Sequence, residues 1–306
     1  PGLPAFLVPP NIADYGQLFN TRGEDILNKY NIRERPAAEK ARDTLSQALF
    51  TEIYKKDREV FLDLRKVSEH KWAENPFSAS SRPILGERYR ANQRPVRVAP
   101  MAHHTMGGAC IDADGMTSLP GLFAAGEVTG GLHGANRMGG NALTETLVFG
   151  ARAGEAAANW AMDGDRELNS EIFKDAEVEK LAFVQETDGS NPAELMTSLS
   201  EIIWKEAGII RNQRGLERAL NAVNTISAKA LKSHIGSPLD VQRRIEVLFG
   251  AQAASLIIRA ALKRKESRGA HFREDFSDQD DDNWQGHLQV KLSRNGEANW
   301  NFRAIT

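Results

Sequence analysis

The chain has 306 residues, 41% hydrophobic and 26% charged, which is enough for about two domains with a buried core. Its formal net charge of -2 argues against a nucleic-acid-binding protein, which usually carries a marked excess of basic residues. The single cysteine, Cys110, excludes an internal disulfide framework and a cysteine-rich zinc or iron–sulfur site in this sequence, and no apolar run approaches the roughly 20 residues of a membrane span.

The first third of the sequence is predicted to mix helices and loops with one strand. It opens with Pro1 rather than Met, so we expect a fragment or a processed product, in which the lack of a targeting signal carries no information. Residues 37–53 are good helix formers with apolar spacing, and residues 60–64 predict a short strand. Residues 73–98 are rich in Pro, Arg and Ser, which indicates an exposed connection between domains.

Glycine becomes dense in residues 99–160. The short apolar run 122–125, followed at once by Gly126, is typical of a buried parallel strand that ends at a site. Apolar residues then recur at helical spacing from Leu143, and Asn141 is the predicted N-cap of that helix. A strand, a glycine-rich turn and a helix in this order are the local plan of a cofactor-binding α/β unit.

Residues 165–265 are predicted to be helical. Asn191-Pro192 and Ser237-Pro238 each place a capping side chain before a first-turn proline, which is a helix start signal. An apolar stripe follows each start; the stripes are Leu195, Leu199, Ile202 and Ile203, then Val241, Ile245, Leu248, Phe249 and Leu256. They predict a small antiparallel helical bundle. In the tail, alternation at 288–292 before Asn295-Gly296 predicts a β-hairpin.

The most informative segment is 101–150, where glycines stand beside His, Arg, Asn and Glu ahead of a helix. Its stretch 126–137, Gly-Glu-Val-Thr-Gly-Gly-Leu-His-Gly-Ala-Asn-Arg, resembles the flavin domain of the succinate dehydrogenase, fumarate reductase and L-aspartate oxidase flavoproteins, most of all the soluble fumarate reductases. Residues 266–275 resemble that family's tail motif, and residues 208–212 resemble a helix start in its C-terminal helical domain. The similarity runs over most of residues 14–285.

The resemblance implies an α/β plus all-α fold. Residues 1–98 would be the remainder of a capping, substrate domain, and residues 99–160 the second segment of an FAD-binding α/β domain. Residues 161–265 would be the C-terminal antiparallel helical bundle, and residues 266–306 a tail with a β-hairpin.

His103 and Arg137 match the family's histidine and arginine that bind a substrate carboxylate, so the resemblance makes them the expected catalytic and substrate-binding pair. Arg137 offers a rigid, always-charged fork for a carboxylate. A dicarboxylate clamped in this way has a polarised double bond, which can accept a hydride from flavin N5. A structural ion pair is the rival interpretation of Arg137. Because His103 and His104 are adjacent, they would face opposite ways on a strand, so one of them could serve packing only.

FAD is the cofactor that the resemblance implies. Glu127 matches the acid that hydrogen-bonds the ribityl or ribose region, with an ordinary surface acid as the rival interpretation, and Ala142 and Leu143 match positions whose backbone meets the flavin pyrimidine edge. A helix N-terminus there would stabilise the negative charge of reduced flavin. The expected cofactor-binding residues are Gly126, Glu127, Asn141, Ala142 and Leu143. The His residues show no metal-ligand spacing, and His133 is expected to be a turn residue or one that supports the site from behind.

Two features of the family are absent from the sequence. A Gly-x-Gly-x-x-Gly after a strand is lacking near the start, so the FAD pyrophosphate site should lie N-terminal to this chain. The family's usual proton donor is an arginine, whose position falls near Ile12, and Arg22 does not fit the spacing. Either another group supplies the proton, or the substrate is neither fumarate nor succinate.

The expected function is hydride transfer between FAD and a small carboxylate substrate. Alternatives are an L-aspartate oxidase-like enzyme and a subunit that has lost catalysis and serves as a scaffold. The expected partners are the N-terminal half of the flavoprotein and an iron–sulfur electron-transfer subunit; nucleic acid is not an expected partner. The expected location is the cytoplasm, and a peripheral position at the inner face of the membrane is the alternative.

Overall fold

The computed structural model describes residues 8–163, 189–293 and 298–305. Contacts between residues divide the chain into two compact units, Pro1–His103 and His104–Thr306. The division into the four segments expected from the sequence stays a prediction.

The first unit holds a small antiparallel sheet surrounded by short helices. Its strands are β1 (Gln17–Asn20), β2 (Val60–Asp63) and β3 (Val96–Val98), in the order β1-β2-β3. Leu62 on the central strand pairs with Leu18 on one side and Val96 on the other, and all three are buried. Its helices are α1 (Pro10–Tyr15), α2 (Ile26–Lys29), α3 (Ala37–Lys40), α4 (Arg42–Phe50), α5 (Glu69–Trp72) and α6 (Pro76–Pro83), with π-helical turns at Thr51–Lys55 and Ile84–Arg88.

The sequence predictions for this unit hold in part. The strand at 60–64 is confirmed, and the helix at 37–53 forms but breaks at Ala41, whose backbone angles (φ -125°, ψ 37°) are not helical. The prediction that 73–98 is an exposed connection is wrong, because this segment supplies α6 and β3 and buries Leu85, Ala91 and Val96. Its arginines are exposed to solvent, but Ser78 and Ser81 are buried together with these apolar side chains.

The glycine-rich part of the second unit contains little regular structure. The buried parallel strand predicted at 122–125 is wrong: Leu122 is 51% exposed, and Phe123 forms one isolated antiparallel bridge with Met116. Such a strand needs neighbours on both edges, and the described residues around it supply only single bridges. The segment ends in a short 3₁₀ turn, Gly126–Val128.

The long helix that follows is α7 (Asn141–Met162). Asn141 is its first residue, so the prediction that Asn141 is the N-cap is wrong. Gly140 occupies the cap position with φ 85°, a conformation that favours glycine, and no side chain caps the helix. The apolar face predicted from the spacing exists, but it is exposed: Leu143 is 70% and Leu147 67% exposed.

Three helices form the larger core of the second unit. They are α8 (Pro192–Ala207), α9 (Gln213–Leu231) and α10 (Pro238–Lys263), and their buried side chains make one cluster. The stripe predicted on α8 is confirmed, since Leu195 and Leu199 are buried. The face predicted on α10 holds only in part: Leu248 packs against the cluster, but Phe249 is 66% exposed, and the fully buried face runs through Val247, Ala251, Ala254, Ile258 and Ala261. The three alanines on this face let α10 approach its neighbours closely, while the leucines of α8 and α9 fill the space between the helices.

By length and composition alone, α10 could cross a membrane, with a mean hydropathy of 1.6 over its most apolar window. The core helix of a bundle passes the same test, and charged residues such as Arg244 and Glu246 interrupt the sequence of α10.

The predicted C-terminal hairpin is confirmed as β4 (Gly286–Leu292) and β5 (Ala298–Ala304), after the short helix α11 (Asp281–Trp284). The predicted Asn295-Gly296 turn lies outside the described residues, as does the predicted helical segment 165–188.

Helix α10 starts as its sequence predicts. The Ser237 hydroxyl donates to Asp240 Oδ2 (2.8 Å) and accepts from the Asp240 amide (3.3 Å). Ser237→Ala removes this cap, so we expect a loss of about 1 kcal/mol in the free energy of unfolding, measured by urea denaturation. Ser200→Ala is the matched control, because that exposed hydroxyl only bonds Met196 O within α8. Equal losses in both variants would contradict the capping role.

Candidate active site

Two glycine-containing segments meet backbone to backbone beside the 3₁₀ turn. The Ala109 amide donates to Val128 O (2.9 Å), and the Gly130 amide donates to Ala109 O (3.0 Å). Gly108 has φ 155°, and a Cβ atom there would lie 2.1 Å from Val128 O. Only glycine permits this approach, which fixes the loop 128–140 against residues 105–109.

Arg137 lies in this loop, between the glycine-rich turn and helix α7. Its amide donates to Met106 Sδ (3.1 Å) and its Nη1 to Met138 O (3.2 Å). Its Nε is buried and has no hydrogen-bond partner among the described residues. No described carboxylate forms an ion pair with it. A buried, unpaired donor on a permanent cation is costly, so this group is suited to an anionic acceptor from outside the chain.

Glu127 and His104 form a second group of polar side chains next to this loop. Glu127 Oε1 accepts the Thr105 amide (2.9 Å), and Oε2 lies 3.4 Å from His104 Nδ1. The Glu127 side chain is 55% exposed. The His104 ring is largely buried, and its Nε2 has no partner among the described residues.

A buried acid lies behind this group and was not predicted from the sequence. Glu145 on α7 is 4% exposed; its Oε2 lies 2.9 Å from His133 Nε2, and its Oε1 accepts from the Thr129 hydroxyl (3.2 Å). The His133 ring meets the His104 ring edge-on, with centroids 5.1 Å apart. His133 therefore supports the loop from behind, in line with its predicted role. The sequence held one signal for Glu145: it is a charged residue among the apolar residues of the first turns of α7.

The predicted site residues of the second unit lie along one stretch of chain. Gly126 opens the 3₁₀ turn, and Asn141, Ala142 and Leu143 form the uncapped first turn of α7. His103 is an exposed residue and the last of the first unit, so its pairing with Arg137 stays a prediction. In the described parts of the chain, no group of three or more His, Cys, Asp or Glu side chains could hold a metal ion.

Comparisons with known proteins identify the family. Residues 14–143 match the FAD binding domain family, and residues 196–306 match the fumarate reductase flavoprotein C-terminal family. The chain belongs to the succinate dehydrogenase and fumarate reductase flavoprotein family. FAD is therefore the cofactor of this flavoprotein chain.

Individual relatives agree with this assignment. The chain is 38% identical to a subunit of the fumarate reductase (CoM/CoB) of Methanothermobacter marburgensis, over 85% of this chain and 48% of the relative. It is 35% identical to the L-aspartate oxidase of Caulobacter vibrioides, over 85% of this chain and 44% of the relative. The structure of a mutant E. coli quinol fumarate reductase superposes with a TM-score of 0.82 and 29% identity, over 98% of this chain and 56% of that one. The flavoprotein chain thus spans about half the length of the relatives it matches.

Proposed function

We propose that the complete protein is an FAD-dependent oxidoreductase that moves a hydride between flavin N5 and a small carboxylate substrate. The observation that carries this proposal is the Arg137 guanidinium, whose buried Nε lacks an acceptor among the described residues, in a loop that leads into the uncapped start of α7. An anion held at that arginine would lie beside the helix terminus at which negative charge is favoured.

Arg137 and His103 are the proposed substrate-binding residues. Arg137 would hold a substrate carboxylate through charge-assisted hydrogen bonds and withdraw electron density from the adjoining carbon–carbon bond. His103 would donate to the same substrate and fix its orientation. Holding the substrate in one pose removes the entropic cost of alignment at the reacting carbon.

Gly126, Glu127, Asn141, Ala142 and Leu143 are the proposed cofactor-binding residues. Bound FAD supplies the group at N5 that accepts and releases the hydride. The amides of Ala142 and Leu143 in the first turn of α7 would face the pyrimidine edge, and their partial positive charge would favour the reduced form. Exposed Leu143 and Leu147 offer apolar surface that a flat ring and the rest of the protein would cover.

The proposed organisation follows the family. Residues 1–98 would belong to the capping domain, 99–160 would complete the FAD-binding domain, 161–265 would form the helical domain and 266–306 the tail. The proposed partners are the N-terminal half of the flavoprotein and an iron–sulfur subunit, since one cysteine cannot hold a cluster in this sequence. The proposed location is cytoplasmic, peripheral at the inner face of a membrane.

The residue near the usual proton donor bears on the choice of substrate. Ile12 is fully buried in the core of the first unit, and its side chain has no proton to give. This observation favours a carboxylate other than fumarate or succinate, a different acid as donor, or a protein without catalysis. The similarity to L-aspartate oxidases makes an amino acid the second candidate substrate.

An assay of the complete protein tests the proposal. We expect purified protein to show the absorbance of oxidised flavin, and this absorbance to bleach with one of succinate or aspartate, or reduced flavin to reoxidise with fumarate. Flavin that none of these acids affects would favour the scaffold hypothesis over the proposed activity with these substrates. Protein without flavin after expression with excess riboflavin would contradict the proposal outright.

A further inference from the structure

We propose that the turn formed by residues 268–271 is a positioning element for the loop that carries Arg137. This inference rests on the proposed function, because it assigns the turn a part in holding the substrate-binding arginine. The turn lies far from Arg137 in sequence, and neither the candidate site nor its cofactor residues include it.

The turn touches the Arg137 loop through its backbone. The Ala270 amide donates to Ala135 O (2.9 Å), two positions before Arg137. Gly269 has φ 56°, and a Cβ atom there would lie 2.5 Å from Ala135 O and 2.9 Å from Asn136 Cβ. Those neighbours are backbone or sit directly on it, so they cannot move aside without moving the loop.

The turn is anchored on one side by a set of ion pairs. Its ends are joined by hydrogen bonds in both directions, Arg268 amide to His271 O (2.8 Å) and His271 amide to Arg268 O (3.0 Å). The Arg268 side chain donates to both oxygens of fully buried Glu266 (3.0 Å each) and to Asp281 (2.6 Å). A two-pronged pair of this kind fixes direction as well as distance.

The other side of the turn is tied to the helical bundle. Arg211 Nη1 donates to His271 Nδ1 (2.8 Å), and Arg211 Nε donates to Ala207 O and Gly208 O (2.9 Å each) at the end of α8. Burial and the nearby arginines lower the pKa of His271 to about 3, so the ring is neutral at pH 7 and its Nδ1 can accept. A rigid path thus runs from α8 through Arg211 and the turn to Ala135.

Next to Arg137, residues 134–137 have few other fixed points among the described residues. Arg137 is held through its amide and one guanidinium nitrogen, and both acceptors belong to methionines, Met106 and Met138. The direction of the unpaired Nε therefore depends on where the backbone at 135–137 is held. An arginine displaced by about 1 Å loses much of its alignment with a bound carboxylate.

Gly269→Ala in the complete protein tests this proposal. The added methyl group should push Ala135 away, so amide hydrogen exchange in residues 130–140 should rise several-fold while α9 stays unchanged. The dissociation constant for fumarate, followed by the flavin absorbance change, should rise by roughly tenfold or more. Gly23→Ala is the matched control, since Gly23 also has positive φ (74°) but nothing within 4 Å of a Cβ.

Unchanged exchange in 130–140 overturns the proposal, and so does faster exchange with unchanged fumarate affinity. If the wild-type flavin does not respond to fumarate, the proposed function fails for this acid, and the exchange data still decide whether the turn holds the loop. If Gly269→Ala does not fold, Arg268→Gln replaces it, because it frees the turn from Glu266 without adding atoms at Ala135. Equal effects in Gly23→Ala and Gly269→Ala also overturn the proposal.

Discussion

Arg137→Ala in the complete protein is expected to lower turnover by about 10²–10³-fold while FAD stays bound. The guanidinium Nε lacks an acceptor among the described residues, and no described carboxylate neutralises the group. Removing it would take away the proposed charge-assisted hydrogen bonds to the substrate but no contact that the predicted cofactor residues make. Steady-state turnover with an artificial electron carrier measures the loss, and the flavin absorbance per protein measures FAD retention.

Two further variants separate a specific role of Arg137 from a general loss of positive charge. Arg137→Lys keeps the charge but loses the planar fork, so we expect it to recover only a small part of the rate. Arg152→Ala removes an arginine from the exposed side of α7, where it pairs with Asp114 (3.3 Å), and should leave turnover unchanged. An unchanged rate in Arg137→Ala would remove this residue from the active site.

Local sequence signals predicted the parts of the fold that depend on local contacts. The starts of α8 and α10 were found because Asn191 and Ser237 cap their own helices, through the Ala193 and Asp240 amides. The C-terminal hairpin was found because its strands alternate and pair with each other. These elements need few distant partners, so a single sequence is enough to recognise them.

Errors arose where distant packing decides the structure. The run 122–125 has the composition of a buried strand, but the described residues offer it no sheet to join. The face of α10 was predicted incorrectly at Phe249, which was assumed to be buried because it is large and apolar. The buried face of α10 instead contains Val247, Ala251 and Ala254. In both cases the apolar residues were recognised, but the surface against which they would pack was not.

The candidate site was predictable where residue types carry the chemistry. Arg137 and Glu127 stand out among glycines, and Arg137 Nε has no acceptor among the described residues. The His133–Glu145 pair and the contact of Ala270 with Ala135 O were not predictable, because each joins segments that have no common local pattern. Ile12 is the converse case: its lack of an ionisable proton was evident from the sequence, and the structure adds that it is fully buried in the core of the first unit.

The second large effect is expected at Glu52, a fully buried acid in the first unit. Its carboxylate accepts from or pairs with a set of donors on other side chains; the partners are Asn20 (2.7 Å), Tyr30 (2.6 Å), Lys56 (3.0 Å), Lys29 (3.1 Å) and Arg58 (3.2 Å). Glu52→Ala would remove the buried acceptor that these donors share, while Asn20, Lys29 and Arg58 would keep a second acceptor, Glu24. We expect a loss of about 3–5 kcal/mol in the free energy of opening of this unit, measured by native-state hydrogen exchange in β1 and β2.

The same carboxylate makes the stability of the first unit depend on pH. Burial by itself raises the pKa of Glu52, but hydrogen bonds from Tyr30, Asn20, Lys56 and Lys29 outweigh it and hold the pKa far below its usual range. The unfolded chain takes up a proton near the ordinary value of 4.5, while the folded chain does not. The stabilisation is therefore complete above that pH and is lost as the pH falls below it.

Glu52→Gln separates the charge from the shape of this side chain. It keeps one acceptor oxygen, so its loss of stability at pH 7 should be smaller than that of Glu52→Ala, and the decline of stability between about pH 5 and pH 3 should flatten. Glu34→Ala is the matched control, because Glu34 is an exposed acid in the same unit. If hydrogen exchange in β1 and β2 responds equally to both alanine variants, the carboxylate of Glu52 does not organise this unit; if it responds only at Glu52, a single buried charge holds β1, β2 and α2 together.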